Sequence, residues 1–214
     1  MTMTDEFLDR LSRDLRPVSK GVVVRRLAAS LIVGGAVAFI GVAGLLGLRA
    51  DMPRAVLSGM FWIKLAYTGG IAAAAFAGVE RLSRPAGDAG RRLAWLAAPL
   101  AAMGAVAGWQ FWSAPPPVRE TLIMGSSAAV CPWLIFITAI PLFAALVWAL
   151  RGLAPTRPRA AGALAGLTAG GAGAAVYALH CPESGAPFVA IWYSLGILLA
   201  CGLGGLTGPR LLRW

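Results

Sequence analysis

Charge is distributed along this chain in a way that leaves few folds open. Leu27–Leu48, Leu93–Val118, Thr121–Leu150, Ala160–Leu179 and Ser184–Pro209 contain no Asp, Glu, Lys or Arg, and Ala55–Val79 contains one, Lys64. Each run is at least as long as the ~20 residues with which an α-helix crosses a hydrocarbon core. A water-soluble domain would carry roughly 25% charged residues, whereas this chain has 13% against 58% hydrophobic. Lipid offers no partner to an unpaired backbone group, so long apolar runs in an open chain must be helical. A membrane barrel would need ~10-residue segments of alternating polarity, and none is present. The expected fold is therefore all-α: an integral membrane bundle of six transmembrane helices over residues 27–214, preceded by a segment over residues 1–26.

A net charge of +10 and a pI near 11.0 invite a nucleic-acid reading. The placement of the cations argues against it. With residues 1–26 inside and the runs alternating, the inner segments hold fifteen of the Lys and Arg residues, while the outer loops hold three, Arg49, Arg54 and Arg119. That asymmetry is the positive-inside pattern, and it predicts a bacterial inner-membrane protein with both termini cytoplasmic. Residues 1–26 are too long and too charged for the start of a cleavable leader, so the first run is expected to stay in place.

Within residues 1–26, Thr4, Asp5 and Glu6 suit a helix start. Phe7, Leu8, Leu11 and Leu15 then recur at helical spacing as one apolar stripe. Asp9 and Arg13 stand four apart in the favourable order, and Pro17 disfavours helical geometry at Arg16. A short amphipathic helix at the membrane surface is the expectation. Further on, Gly162, Gly166 and Gly170 repeat at intervals of four, a spacing that lets helix backbones approach closely in lipid. Pro115, Pro116 and Pro117 predict a stiff extended connector between the third and fourth spans.

Three cysteines are present. Cys131, near the outer end of the fourth span, and Cys181, in the outer loop before the sixth, are both followed by proline and face the same, oxidising side. The pair suggests either a redox or soft-metal sensor, with His180 as a neighbouring base or third ligand, or a plain disulfide stapling two loops. A bridge requires their Cα atoms to come within about 7 Å. Cys201, deep in the sixth span, reads as a packing residue. Lys64 is the one ionisable residue inside a span; it lies in the outer half, where a long stem can snorkel to the surface. Glu183 is a weaker candidate ligand.

Several sequences associated with catalysis are missing. No Cys-x-x-Cys dithiol occurs, the single histidine rules out a His-Glu-x-x-His zinc site, and no phosphate-binding loop is present. The spans contain no acids of the kind proton-coupled transport uses. The sequence argues against an enzyme. A small transporter or channel, or a membrane thiol–disulfide oxidoreductase, stand as alternatives to a regulatory protein.

Several stretches resemble one family. Leu11-Ser12-Arg13-Asp14-Leu15-Arg16-Pro17-Val18 is similar to the opening of the NrsF family of six-span anti-sigma factors. Gly108-Trp109-Gln110, Met124-Gly125-Ser126-Ser127 before Cys131, His180-Cys181-Pro182-Glu183, Pro187–Trp192 and the terminal Gly208–Trp214 fit the same pattern. The resemblance covers nearly the whole chain. It implies that an extracytoplasmic-function (ECF) sigma factor is held at the membrane by the N-terminal segment. It also implies that Cys131 and Cys181 answer metal or oxidative stress outside and release that partner. On this reading Phe7, Leu8, Leu11 and Leu15 dock in a groove of the sigma factor, with Arg13, Asp14 and Arg16 at its edges; the same helix could instead lie on the anionic leaflet. The implied partners are a sigma factor and membrane lipids, with no direct contact to nucleic acid. No resident cofactor is implied beyond transient soft-metal binding at Cys131, Cys181 and His180. Cys201 falls outside the family pattern, as does any His-x-x-x-Cys-x-x-Cys zinc motif.

Overall fold

The computed structural model describes residues 21–84, 87–153 and 155–213. Among them are six helices long and apolar enough to cross a membrane: span 1 (Val22–Leu46), span 2 (Gly59–Leu82), span 3 (Gly90–Ser113), span 4 (Cys131–Arg151), span 5 (Pro158–Tyr177) and span 6 (Ala186–Leu211). The described residues contain no strand. The all-α bundle expected from the charge-free runs is the fold observed. The amphipathic helix expected over Phe7, Leu8, Leu11, Arg13, Asp14, Leu15 and Arg16 lies outside the described residues.

Side-chain ties mark the two ends of the bundle. At one, Arg151 Nε donates to the Leu211 carbonyl at 2.7 Å and Arg157 pairs with Asp88 at 3.6 Å. At the other, the loop after span 5 meets the end of span 1 and the segment before span 4. The second is called the thiol end below, because both Cys131 and Cys181 lie there.

Most helices run a few residues past the charge-free stretches, span 2 taking in Glu80 and Arg81 and span 3 Arg91 and Arg92. Three differences from the charge-based expectation matter for the fold. Span 1 begins at Val22, so Arg25 and Arg26 lie in the helix rather than before it. Counting charges cannot detect this, because arginine is a good helix former whose stem can run along apolar surface. The run Thr121–Leu150 is not one helix. A nine-residue helix, Pro116–Met124, ends at Gly125, whose φ of +51° is left-handed, and span 4 starts six residues later. Ser126–Val130 between them is small and uncharged, so hydropathy registers no break. The proline run is extended only at Pro115 (φ −57°, ψ 145°). Pro116 and Pro117 occupy the first turn of that short helix, where a missing N–H has no intrahelical partner to lose.

Span 5 is the most buried helix and span 3 the most exposed. Span 5 reaches this position by presenting glycine on three faces. A side chain at Gly162 or Gly166 would collide with the carbonyl oxygens of Gly204 and Ala200 on span 6, and one at Gly170 would meet Ile197 Cα at 3.0 Å. Gly171 faces the Thr68 carbonyl of span 2 at 2.8 Å, and Gly173 faces Ala139 Cα of span 4 at 3.0 Å. Span 1 is seated on span 4 in the same manner: an added Cβ at Gly34 would lie 2.7 Å from Leu142 Cα and 2.9 Å from the Pro141 carbonyl. The buried serine and threonine hydroxyls in the spans are satisfied locally. Ser30, Thr68, Thr138 and Thr168 each donate to a carbonyl three or four residues back in their own helix.

Candidate functional site

Span 5 ends at Tyr177, and the chain turns through His180, Cys181, Pro182 and Glu183 before span 6 begins at Ala186. Cys131 is the first residue of span 4, with Pro132 in its opening turn. The fold brings these two segments together. Both thiols are free and buried, Cys131 at 0% exposure and Cys181 at 1%, and they interact with one another. The two sulfurs are neighbours.

Two tyrosines cover the pair. Tyr177, the last residue of span 5, reaches both thiols. Tyr193 belongs to the π-helical turn Val189–Tyr193 near the start of span 6; such turns re-aim side chains and recur at functional sites. Its ring is fully buried against Tyr177, and its hydroxyl lies beside Cys181 without a hydrogen bond of good geometry. A buried hydroxyl without a regular partner is uncommon and calls for a reason.

Lys64 supplies the charge. Its side chain does not run to the surface, as its place in the outer half of a span suggested; the residue is 1% exposed. Nζ donates to the Cys181 carbonyl at 3.3 Å and to the Glu183 carbonyl, and sits 5.3 Å from the centre of the Tyr193 ring. Two backbone acceptors and an aromatic face make burial of the ammonium tolerable. At the loop residue Cys181, the neighbouring Cys131 thiol lowers the pKa below the ordinary range, burial opposes this, and the Lys64 ammonium adds to the lowering.

The remaining contacts fix the loop rather than extend the thiol cluster. His180 uses Nδ1 on the Gly47 carbonyl at 2.8 Å. Glu183 accepts from the Ser126 amide at 2.8 Å, the Ser126 hydroxyl at 2.6 Å and the Ser127 hydroxyl at 3.4 Å. Gln110 of span 3 accepts from the Ala186 amide at 2.6 Å, meeting an otherwise orphaned donor at the start of span 6. Trp192 donates to the Ile123 carbonyl at 2.8 Å. Among the described residues, no group of three or more His, Cys, Asp or Glu is arranged to hold a metal ion. A soft cation would therefore have the two thiolates as its protein ligands. Cys201 is half-buried in span 6, away from this cluster.

Sequence reasoning singled out Cys131, Cys181 and His180, and the fold gathers all three at one end. It missed Tyr177, Tyr193 and the anchoring roles of Lys64, Gln110 and Arg49. For Lys64 the signal was present: a lone charge within a span. The short motifs Gly108–Gln110, Met124–Ser127 and Pro187–Trp192 each place a residue at or beside the His180–Glu183 loop and the start of span 6.

A family model described as "Negative regulator of sigma F" (NrsF) matches residues 11–214. The anti-sigma-F factor NrsF of Caulobacter vibrioides is 42% identical over 213 residues, which is 99% of each chain. The probable anti-sigma-F factor NrsF of Azospira oryzae is 39% identical over 211 residues, again 99% of each. No solved structure matches the chain.

Proposed function

The chain belongs to the NrsF family, and from that premise we propose that it is an inner-membrane anti-sigma factor that releases an ECF-type sigma factor when its paired thiols react. The segment before span 1 faces the cytoplasm and holds the sigma factor through the stripe Phe7, Leu8, Leu11 and Leu15, flanked by Arg13, Asp14 and Arg16. The thiol end faces the periplasm. The cation asymmetry along the sequence supports this orientation.

The observation that carries the reading is the pair itself: two free, buried cysteines, fifty residues apart in sequence, brought beside each other beneath two tyrosines and a lysine. Two chemistries suit it. Hydrogen peroxide accepts two electrons and two protons from the thiols: both S–H bonds and the O–O bond break, the S–S bond forms, and two water molecules leave. Alternatively a soft cation displaces both thiol protons and bridges the sulfurs, as thiolate ligands favour. Either event changes the separation of span 4 and the loop between spans 5 and 6. A tenfold change in sigma release then requires only about 1.4 kcal/mol of preference between two bundle arrangements. A transporter is less well supported, because the buried threonine hydroxyls of the spans are committed to their own helices.

The test has two arms. A pull-down with residues 1–26 captures a sigma factor, and Leu11→Asp with Leu15→Asp abolishes capture. In cells, Cys131→Ser with Cys181→Ser leaves the protein inserted and the sigma factor held but removes induction by peroxide or a soft metal. Normal induction in that double variant would refute the sensing role.

A further inference from the structure

We propose that Arg49 couples the thiol pair to span 1, so that span 1 is the helix through which the state of Cys131 and Cys181 reaches the segment before Val22. This rests on the reading above that the thiols are the sensing groups.

Span 1 is the span directly continuous with that segment. At its thiol end the helix loosens into a π turn, Val42–Leu46, and Gly47, at φ +78°, turns the chain across the cysteine loop. Residues 47–51 then clasp the loop. The Arg49 amide donates to the Leu179 carbonyl at 3.0 Å, and the Gly47 carbonyl meets His180 Nδ1 at 2.8 Å. The Arg49 guanidinium, its side chain only 8% exposed, is held flat by two 2.7 Å bonds to the Asp51 carboxylate. It donates further to the carbonyls of Cys181 at 3.4 Å and Pro182 at 3.5 Å. The Cys181 carbonyl also accepts from Lys64, so the peptide next to the thiol is gripped from span 1 and span 2 at once.

The body of span 1 rests elsewhere. Gly34 sits against the backbone of Pro141 and Leu142 on span 4, the helix that begins with Cys131. Span 1 therefore has two supports, one on each cysteine-bearing element. Forming a disulfide draws the sulfurs to about 2 Å and displaces one support relative to the other. A helix fixed at one end and carried along its length responds by tilting. Over the 25 residues of span 1, at about 1.5 Å per residue, a tilt of a few degrees moves the far end by roughly 2 Å. Without Arg49 the pinned end is released, and span 1 follows span 4 without tilting.

The test uses the full-length chain in native membranes with the sigma factor that co-purifies with it, and diamide as oxidant. Diamide takes the two thiol hydrogens and is reduced to its hydrazine as the disulfide forms. In Arg49→Gln we expect disulfide formation and sigma retention as in the wild type, with diamide induction of a sigma-dependent reporter reduced at least about fivefold, within the usual range of allosteric couplings. Arg49→Lys, which keeps a cation but loses the planar fork, should fall in the same direction. Induction equal to wild type in both variants overturns the proposal, as does loss of disulfide formation, since Arg49 would then act on the thiols themselves. Should the variants not insert, hydrogen exchange on the wild-type chain decides: the Arg49 amide changes its protection on oxidation, and unchanged protection overturns the coupling. Failure of the sensing role would appear differently, as a wild-type response that survives in Cys131→Ser with Cys181→Ser.

Discussion

The two halves of this bundle are held together by different physics. Towards the end where Arg151 meets Leu211, the core is Leu, Ala, Val and Phe, and spans 5 and 6 touch backbone to backbone across glycine. At the thiol end the core includes three tyrosines and two cysteines, with Lys64 among them, and named hydrogen bonds fix the loops. The first region tolerates no added volume. The second tolerates a change of volume better than the loss of a donor or acceptor. Close packing has one solution, whereas a hydrogen-bonded loop can exchange partners, and a site that must change state belongs in the second kind of region.

That contrast can be broken by substitution. The largest effect is expected for Gly166→Ala, whose new methyl group would collide with the Ala200 carbonyl. Overpacking against backbone costs about 1–3 kcal/mol or more, read as a lowered midpoint for thermal aggregation in detergent. Glu183→Gln keeps the shape but exchanges charge-assisted bonds from Ser126 for neutral ones. A loss of about 1 kcal/mol should be confined to the thiol end and read as faster hydrogen exchange at Ser126. Lys64→Met removes the ammonium from the carbonyls of Cys181 and Glu183. Native-state alkylation of Cys181 should then rise about tenfold, the equivalent of ~1.4 kcal/mol of local opening, with little change in global stability. Near-wild-type labelling would show that the loop does not depend on this anchor.

Smaller effects sharpen the comparison. Gly104→Ala on span 3 meets nothing within 4 Å and should shift stability by no more than about 0.5 kcal/mol. Asp51, on the surface, has its pKa lowered by its hydrogen bond to Arg49. A carboxyl with a depressed folded-state pKa stabilises above its unfolded value, and that contribution is lost as pH falls through the folded one. The Arg49–Asp51 pair should therefore persist through mildly acidic pH and release only below the ordinary carboxylate range, followed by exchange at the Arg49 amide. Release near neutral pH would contradict this assignment.

The six helices were legible because their signal, long stretches without charge, is local and repeated. The break at Gly125 was not, since Ser126–Val130 is as uncharged as the helices beside it and a left-handed glycine leaves no mark in hydropathy. Cys131 and Cys181 were legible as a pair by depth alone. Their contact was not, because it depends on how spans 4 and 5 cross, which Gly173 against Ala139 decides. Lys64 was read as a surface-seeking cation because a sequence cannot show whether a loop folds back over it; here the carbonyls of Cys181 and Glu183 do so. Arg49 carried no pattern at all. It is one of three cations expected outside, and only the folded loop gives it acceptors.

The glycine contact between spans 5 and 6 constrains what can move. With Gly162 and Gly166 pressed on the carbonyls of Gly204 and Ala200, the two helices form a single stiff strut, and the short turn bearing Cys181 bridges its tip. The other sulfur sits where a five-residue turn, Ser126–Val130, enters a helix. When the sulfurs draw together, the strut serves as anvil, and the travelling partner is the Cys131 end of span 4.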